Sequence, residues 1–391
     1  MDIVHLRPTR VEIDLDNLEY NMNQIKSILS PSAKICAVLK ADGYGHGAVE
    51  IAQEIMGCGA AYIAVSFIDE ALELRQSGVK VPILILGFTP ESQFDKIIEY
   101  DITQTIYNTS SAETLSKLAL KYNKKAKVHI KIDTGMNRIG FQANSNSLTK
   151  IASLFSLEGL EIEGIYTHFA KADEKDKTFT KEQYKSFNEM ANRLKQMGHD
   201  IPIKHVANSA TVIDLPDMHL DMVRPGLILY GLYPSQEVQK DKLDLKPLMS
   251  LKTKVSHVKK VDRGRRISYG GTFVTKRESL IATLPVGYAD GYSRLLSSRA
   301  DVLIKGQRAP VVGRICMDQC MVDITDIKDK VQTGEDVVLF GKMGNKEILA
   351  DELAHTIGTI NYEIICGVSR RVPRVYIRHG KIIKVKNLLV Y

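Results

Sequence analysis

The chain has 391 residues, of which 44% are hydrophobic and 25% are charged. These fractions are close to those of soluble globular proteins, which excludes disordered and fibrous classes, and the length predicts two domains. The 53 basic and 46 acidic residues leave a formal net charge of +7. So small an excess implies nucleic-acid or membrane binding only where the basic residues cluster.

The clearest basic cluster runs from Arg370 to Lys386, where the charges alternate with Val, Ile and Tyr. Such alternation is typical of a strand with one solvated face, so we predict no nucleic-acid function. The five cysteines form no Cys-x-x-Cys pair, which disfavours a disulfide framework and a metal site. Because the sequence shows neither a signal-peptide pattern nor an apolar run of membrane-spanning length, we expect a cytoplasmic protein without membrane contact.

From Ile35 onward, short apolar runs alternate with amphipathic stretches, the pattern of βα units around a parallel sheet. After a helix at 16–30, we predict strands at 35–40, 62–66, 81–86, 102–107, 128–133, 162–167, 203–207 and about 222–229. Helices are predicted among them, for example at 68–76, 112–121 and 182–197. Eight such units predict a (β/α)8 barrel of the TIM type.

The pattern changes after Tyr233. A polar connector at 235–246 leads to short alternating strands with glycine-bearing turns, predicted at 251–261, 279–284, 301–304, 321–324, 336–340 and 374–377, with a helix at 350–355. We therefore predict an α/β protein with a barrel domain over 12–240 and a mostly-β domain over 241–391, against which residues 1–11 pack.

The first predicted barrel strand ends in A-V-L-K-A-D-G-Y-G-H-G-A, which places Lys40 at the carboxyl end of a parallel strand. Barrel enzymes keep their active sites at that end. A lysine flanked by apolar residues loses part of its hydration, which favours the neutral amine that forms Schiff bases. Taken alone, a lysine at the end of a strand is more often a surface side chain.

The same segment allows a second interpretation. Gly43-x-Gly45-x-x-Ala48, with Asp69 or Glu70 further on, matches a dinucleotide fingerprint and would indicate a nicotinamide enzyme. Three residues separate the strand from the first glycine, however, and eight βα units exceed a six-stranded doubly wound sheet.

The segment around Lys40 resembles the pyridoxal-phosphate lysine motif of bacterial alanine racemases. Further motifs of that family follow in order: R-P-T-x-x-E-I-D-L, K-I-D-T-G-M-N-R-I-G, Y-T-H-F-A, A-N-S-A, V-R-P-G, I-S-Y-G-G, G-Y-A-D-G-Y, R-I-C-M-D, and N-Y-E-I to R-V-P-R. The resemblance covers almost the whole chain. It implies fold type III, with a barrel that holds pyridoxal 5'-phosphate, a β domain, and a head-to-tail homodimer whose active sites combine both subunits.

By this resemblance, Lys40 is the residue to which the cofactor attaches. The phosphate is bound by Tyr44, Ser209, Tyr362 and the backbone at Gly226 and Leu227. Backbone N–H groups and hydroxyls suit an anion because they direct fixed donors at it. Without the resemblance, Ser209 could as well be a helix N-cap.

Arg224 is implied to face the pyridine nitrogen of the cofactor. An arginine keeps its proton, so the ring nitrogen stays unprotonated and withdraws electrons weakly, which suits racemisation. The alternative is an ordinary buried arginine paired with a carboxylate. Racemisation needs two acid–base groups on opposite faces of Cα, implied to be Lys40 and Tyr269 of the partner subunit, with His168 in a hydrogen-bond chain toward that tyrosine. In isolation, Tyr269 reads as an aromatic residue at a turn.

The substrate carboxylate is implied to bind Arg138 and the backbone at Met317 of the partner subunit, with Asp318 supporting. Lys131 matches a position that is a carbamylated lysine, N6-carboxylysine, in many relatives. We expect carbamylation or a bound anion there, because an ordinary lysine would repel Arg138. Tyr362, with Tyr288 at the entrance, narrows the pocket toward a methyl side chain.

The resemblance implies interconversion of L- and D-alanine, which supplies D-alanine for bacterial cell-wall peptidoglycan. Three alternatives stay open. A serine or broad-specificity racemase would differ in pocket lining. A decarboxylase of the same fold type would release carbon dioxide, and a non-catalytic pyridoxal-phosphate carrier would need only the barrel.

Overall fold

The computed structural model describes residues 6–390, which divide into two units. The first unit, Leu18–Lys246, contains eight parallel strands at Lys34–Val38, Tyr62–Val65, Ile83–Ile85, Thr103–Ile106, Ala126–Asp133, Leu160–Tyr166, Ile203–His205 and Met222–Val223. They are ordered along the sheet as along the chain, except that the last pairs with the first. Hydrogen bonds from Asp221 N to Lys204 O and from Arg224 N to Ala207 O nearly close the ring. The predicted (β/α)8 barrel is confirmed.

Helices alternate with these strands. They lie at Leu15–Ile28, Ala48–Gly57, Ile68–Gln76, Phe94–Glu99, Thr109–Lys121, Ser145–Leu154, Thr178–Gln196 and Ser209–Asp214, and a short strand at Phe141–Gln142 pairs beside the fifth barrel strand. Their apolar residues recur at helical spacing, as in Ala48–Gly57, which buries Ala48, Ile51, Ala52 and Ile55. Three helices begin after an asparagine whose side-chain oxygen accepts an N–H of the first turn, namely Asn108, Asn144 and Asn208.

The eighth strand differs from its prediction. It ends at Val223, and the predicted continuation to Leu229 was wrong. Pro225 has no N–H to donate to a sheet, and Leu227–Tyr230 forms a 3-10 turn instead. This early end leaves Arg224 and Gly226 at the carboxyl mouth of the barrel.

Within the described residues, the second unit comprises residues 6–17 and 247–390. Its largest sheet runs in the order Gln307–Pro310, Asp301–Ile304, Asp336–Met343, Met249–Lys254, Arg10–Asp14, Arg374–Arg378 and Lys381–Lys386, with Lys346–Ile348 beside Asp336–Met343. The strand Arg10–Asp14 pairs antiparallel with Met249–Lys254 and parallel with Arg374–Arg378. The sequence analysis did not predict that strand, because the apolar alternation in R-V-E-I-D is too short to indicate one.

Smaller sheets complete the second unit. One joins His257–Val261, Ser279–Leu284 and Cys320–Asp323, and another joins Arg266–Ile267 and Phe273–Val274. The single strand predicted at 251–261 is therefore two strands, because its halves pair in different sheets. Helices lie at Ala350–Ile357 and Asn361–Cys366, the second unpredicted.

The basic stretch from Arg370 to Lys386 forms a hairpin rather than one strand. Its turn lies at His379 and Gly380, both at positive φ. The second strand, Lys381–Lys386, is largely solvent-accessible, which agrees with a solvated basic face. Among residues 6–390, no helix is long and apolar enough to cross a membrane.

Candidate active site

Lys40 begins a left-handed turn at the end of the first barrel strand. The four residues after it, Ala41 to Tyr44, have φ values of 55, 53, 60 and 53°. Left-handed geometry costs a non-glycine residue about 1–2 kcal/mol. Such a run persists only where its surroundings hold it, and it is a feature of functional sites.

Glu70 and Asp42 hold the turn. Glu70 Oε1 accepts the N–H of Ala41 at 2.6 Å, and its Oε2 accepts the N–H of Ser66 at 2.7 Å. Asp42 Oδ1 accepts the N–H of Ala48, the first residue of the next helix, at 2.9 Å. The dinucleotide interpretation was wrong. Gly43 and Gly45 belong to the turn after Lys40, and the carboxylate of Glu70 accepts a main-chain N–H of that turn.

Four residues implied in phosphate binding lie together at this mouth of the barrel. Ser209 Oγ accepts the N–H of Gly226 at 3.0 Å, and a Cβ on Gly226 would lie 2.7 Å from the hydroxyl of Tyr44. Only glycine fits so close an approach. Leu227 follows as the first residue of the 3-10 turn. The alternative role of Ser209 as N-cap was wrong, because Asn208 caps that helix.

Arg224 is 4% exposed and is held by neutral acceptors. Its Nη atoms donate to the carbonyls of Thr167, His205 and Val206 at 2.8, 2.9 and 3.2 Å and to Nδ1 of His205 at 2.9 Å. Among residues 6–390, no carboxylate lies within ion-pair distance of Arg224. In the same residues, no group accepts a hydrogen bond from Arg224 Nε. The alternative of a carboxylate-paired arginine was wrong. Burial lowers the pKa of Arg224 to about 10, so the guanidinium stays charged near neutral pH.

His168 lies next to Arg224, with Nδ1 3.4 Å from Nη2. Burial lowers the pKa of His168 well below its usual value, and the charges of Arg224, Lys131, Arg138 and Lys40 lower it further. The imidazole is therefore neutral and can accept from the guanidinium.

Lys131 is 3% exposed, and among residues 6–390 its Nζ has no hydrogen-bond acceptor. The Nζ lies 4.6 Å from the ring centre of Tyr166. Burial, followed by the charges of Arg224 and Arg138, pushes the pKa of Lys131 well below its usual value. An uncharged amine is the form that reacts with carbon dioxide, so this environment favours the expected carbamylation.

Arg138 is exposed and follows Asn137, which has a φ of 54°. The loop is set by Asp133 Oδ1, which accepts the N–H groups of Gly135 and Asn137 at 3.0 Å each. Asparagine tolerates this left-handed geometry better than most residues. Arg138 thus reaches solvent from a loop anchored on the fifth barrel strand.

The family comparisons agree with this arrangement. The family model described as alanine racemase, N-terminal domain, matches residues 13–234, and the model described as alanine racemase, C-terminal domain, matches residues 248–376. The chain belongs to the alanine racemase family.

Individual alanine racemases are similar over nearly their full length. That of Clostridium tetani is 52% identical over 384 residues, covering 98% of this chain and 99% of its own. The solved structure from Clostridium difficile 630 has 47% identity and a TM-score of 0.96, covering 99% of this chain and 100% of that one. The structure from Bacillus anthracis with bound L-Ala-P has 40% identity and a TM-score of 0.92, covering 98% of each chain.

The second unit of this alanine racemase family member carries its candidate residues at the surface. Tyr269 is 71% exposed, Met317 53% and Tyr288 41%. Tyr269 lies in a turn between Ser268, at a φ of 64°, and Gly270, at 72°. These side chains are therefore available to a molecule outside the unit that carries them.

Two further candidates of the second unit are tied into its own structure. Asp318 accepts from Arg371 at 2.5 Å, and the buried Asp290 accepts from Arg371 at 2.8 Å and from Arg7 at 2.6 Å. This network anchors the loop next to Met317. Tyr362 lies partly buried in the helix Asn361–Cys366.

The sequence analysis missed residues that surround these groups. Glu70 was considered only for the dinucleotide fingerprint, although it holds the turn at Lys40. His129, Glu163, Tyr166 and His205 were not singled out, although they form the surroundings of Arg224 and Lys131. One available signal was a histidine within a predicted buried strand, because the ring nitrogens of a buried histidine need hydrogen-bond partners.

Proposed function

We propose that this chain interconverts L- and D-alanine with pyridoxal 5'-phosphate, in a homodimer whose sites combine both subunits. The observation that carries the proposal is Arg224, a buried cation with no carboxylate partner in the described residues and with Nε left for an acceptor from outside the protein. The second base is assigned by the resemblance to Tyr269 of a second copy, and the side chain of Tyr269 is exposed.

The residues present fit this cofactor. Lys40 would hold its carbonyl carbon, while Tyr44, Ser209, Tyr362 and the backbone at Gly226 and Leu227 would hold its phosphate. Because Gly226 has no side chain, the hydroxyl of Tyr44 can lie close to its main chain. When bound, pyridoxal phosphate supplies an electron-withdrawing ring that makes the α-proton of an attached amino acid acidic.

Two protein groups move the proton. The amine of Lys40 serves one face of the substrate Cα, and the phenol of Tyr269 of the partner subunit serves the other. Arg224 keeps its own proton, so beside the ring nitrogen of the cofactor it would leave that nitrogen unprotonated, and the ring would withdraw electrons less strongly. This favours return of the proton to Cα over side reactions such as transamination. Neutral His168 accepts from Arg224 and links it toward the partner's Tyr269.

The substrate carboxylate binds Arg138 and the main chain at Met317 of the partner subunit, with Asp318 supporting that loop. Carbamylated Lys131 orients Arg138 as its counter-charge. Tyr362 and Tyr288 limit the side chain to about the size of a methyl group. The D-alanine product serves peptidoglycan synthesis in the cytoplasm, where the five free thiols, from Cys36 to Cys366, stay reduced.

The test is to incubate the cofactor-loaded protein separately with L-alanine and L-serine and to follow each D enantiomer by chiral chromatography. Fast conversion of alanine and slow conversion of serine is expected. Comparable rates would contradict the role given to Tyr362 and indicate a broad-specificity racemase. If neither D enantiomer forms, the racemase proposal fails, and carbon dioxide release then separates a decarboxylase from a carrier.

A further inference from the structure

A chain of buried side chains leads from Arg224 into the barrel interior. Arg224 Nη1 lies 2.9 Å from His205 Nδ1, and His205 Nε2 lies 2.8 Å from His129 Nδ1. His129 Nε2 lies 3.3 Å from Glu163 Oε1, a longer and less well aligned link. Both histidines are 0% exposed. Glu163 is thus the first carboxylate reached from Arg224 along these contacts.

The backbone is shaped to place this chain. Pairing between the fifth and sixth barrel strands passes from Val128 opposite Ile162 to His129 opposite Gly164, so Glu163 is the extra residue of a β-bulge. A bulge re-aims a side chain that regular alternation would send elsewhere. A Cβ on Gly164 would lie 2.4 Å from His129 Nδ1, so the histidine needs glycine at that position.

Neighbouring side chains hold His205 and Glu163 in place. Tyr166 stacks on His205 with ring centres 4.7 Å apart and planes 9° from parallel. Thr103 Oγ1 donates to Glu163 Oε1 at 3.0 Å. Burial alone would raise the pKa of Glu163, but the contacts with His129 and Thr103 and the charge of Lys127 together outweigh burial, and the pKa falls below its usual value. Glu163 is therefore a carboxylate near neutral pH.

The two ends dictate where the protons lie. Arg224 can only donate, and ionised Glu163 can only accept. Burial lowers the pKa of both histidines, so each is neutral and carries one ring proton. Only protons on Nε2 of both rings let every link pair a donor with an acceptor. The reverse arrangement would set an N–H of His205 against the guanidinium and a lone pair of His129 against the carboxylate.

We propose that Glu163 is a positioning residue that acts on Arg224 through His129 and His205. Its carboxylate ends the chain with an obligatory acceptor, so His205 always presents a lone pair to the guanidinium. Arg224 is then held in one orientation with Nε free for the site. The consequence for catalysis rests on the proposed function, in which Arg224 faces the ring nitrogen of the cofactor, whereas the proton positions do not.

The first test reads the tautomers directly. The full-length, cofactor-loaded protein is labelled with 15N-histidine, and the ring nitrogens are observed by long-range 1H–15N NMR, with His129→Gln and His205→Gln used to assign the signals. Nε2–H tautomers at both positions are expected. An Nδ1–H tautomer or an imidazolium at either position would overturn the proposal, whether or not the wild-type protein racemises alanine.

The second test separates an acceptor from mere packing. Glu163→Gln keeps an acceptor oxygen, whereas Glu163→Met has similar length and no acceptor. We expect Glu163→Met to mix the tautomers of His129 and lower kcat/KM for alanine by about tenfold, and Glu163→Gln to keep both within about threefold. Thr103→Val, which removes another bond to the same carboxylate, should leave the tautomers unchanged. Equal losses in Gln and Met variants, or unchanged tautomers in Glu163→Met, would refute a positioning role.

Discussion

The two units of the chain hold their functional candidates in opposite ways. In the barrel unit, Arg224, Lys131 and Ser209 are at most 6% exposed. In the second unit, Tyr269 and Met317 are more than half exposed. In the proposed function, the barrel unit pre-organises charge for the cofactor, and the exposed groups of the second unit serve the site of the partner subunit. Substitutions of single residues in either unit test this contrast.

The largest effect is expected in the barrel unit, at Lys40. In the proposed function, Lys40→Ala removes both the attachment point of the cofactor and one of the two bases, so turnover should fall by at least about 10⁴-fold. The absorbance of covalently attached cofactor should vanish as well, measured by visible spectroscopy of the purified protein. An active Lys40→Ala protein would contradict a catalytic role of Lys40 and, with it, of the barrel unit.

Tyr269 of the second unit should show a one-sided loss. If Tyr269 is the proposed base on one face of Cα, Tyr269→Phe removes that base only, so α-proton exchange should fall by about 10²–10⁴-fold for one enantiomer and far less for the other. Deuterium incorporation from heavy water into each enantiomer measures this. Tyr122→Phe, at a tyrosine 46% exposed on the barrel unit, is the matched control and should be silent. Equal losses for both enantiomers would contradict the two-base scheme.

A substitution of Glu70 tests whether the turn after Lys40 depends on side-chain hydrogen bonds from another segment. Glu70→Ala leaves two main-chain N–H groups without their charged acceptor, so the free energy of unfolding should fall by about 2 kcal/mol. Urea unfolding measures the change, and cofactor affinity should drop with it. Asp69→Asn, the exposed neighbour on the same helix, should change neither. If Glu70→Ala unfolds like the wild type, the turn is stable by itself.

The smallest predicted effect concerns Lys131 and pH. Its folded-state pKa is lowered, so without carbamylation the unfolded chain binds the extra proton, and stability should rise with pH between that lowered value and the unfolded value of about 10.4. Protein stripped of carbon dioxide should show this slope in urea unfolding, and Lys131→Met should flatten it. Added 13C-bicarbonate should give a carbamate NMR signal in the wild type alone. Identical slopes in both proteins would show that the pKa of Lys131 is not lowered in the folded state.

Much of the barrel follows from the sequence because a strand buried on both faces reads as a continuous apolar run. Tyr62–Val65 and Ser279–Leu284 were found almost to the residue for that reason, or by alternation. Arg10–Asp14 was missed because its partners lie more than 200 residues away, at Leu251 and Arg374. Its place in the centre of a sheet is a property of the fold and leaves no local pattern.

The site divides in the same way. Residues within recognisable motifs, such as Lys40 and Arg224, were found by resemblance. Glu70 and Glu163 were not, since their contacts with Ala41 and His129 span 29 and 34 residues and depend on a left-handed turn and a β-bulge. Both devices break the regular period that sequence analysis relies on.

The contrast between the units leads to one central claim, that each active site takes Lys40 from one subunit and Tyr269 from another. Complementation tests it most directly: the inactive variants Lys40→Ala and Tyr269→Ala are mixed in equal amounts, allowed to exchange subunits, and assayed for alanine racemisation. Half of the dimers would be mixed, each with one intact site, so about a quarter of the wild-type activity should return. Activity that stays at the level of the separate variants, with subunit exchange shown by native mass spectrometry, would contradict the claim.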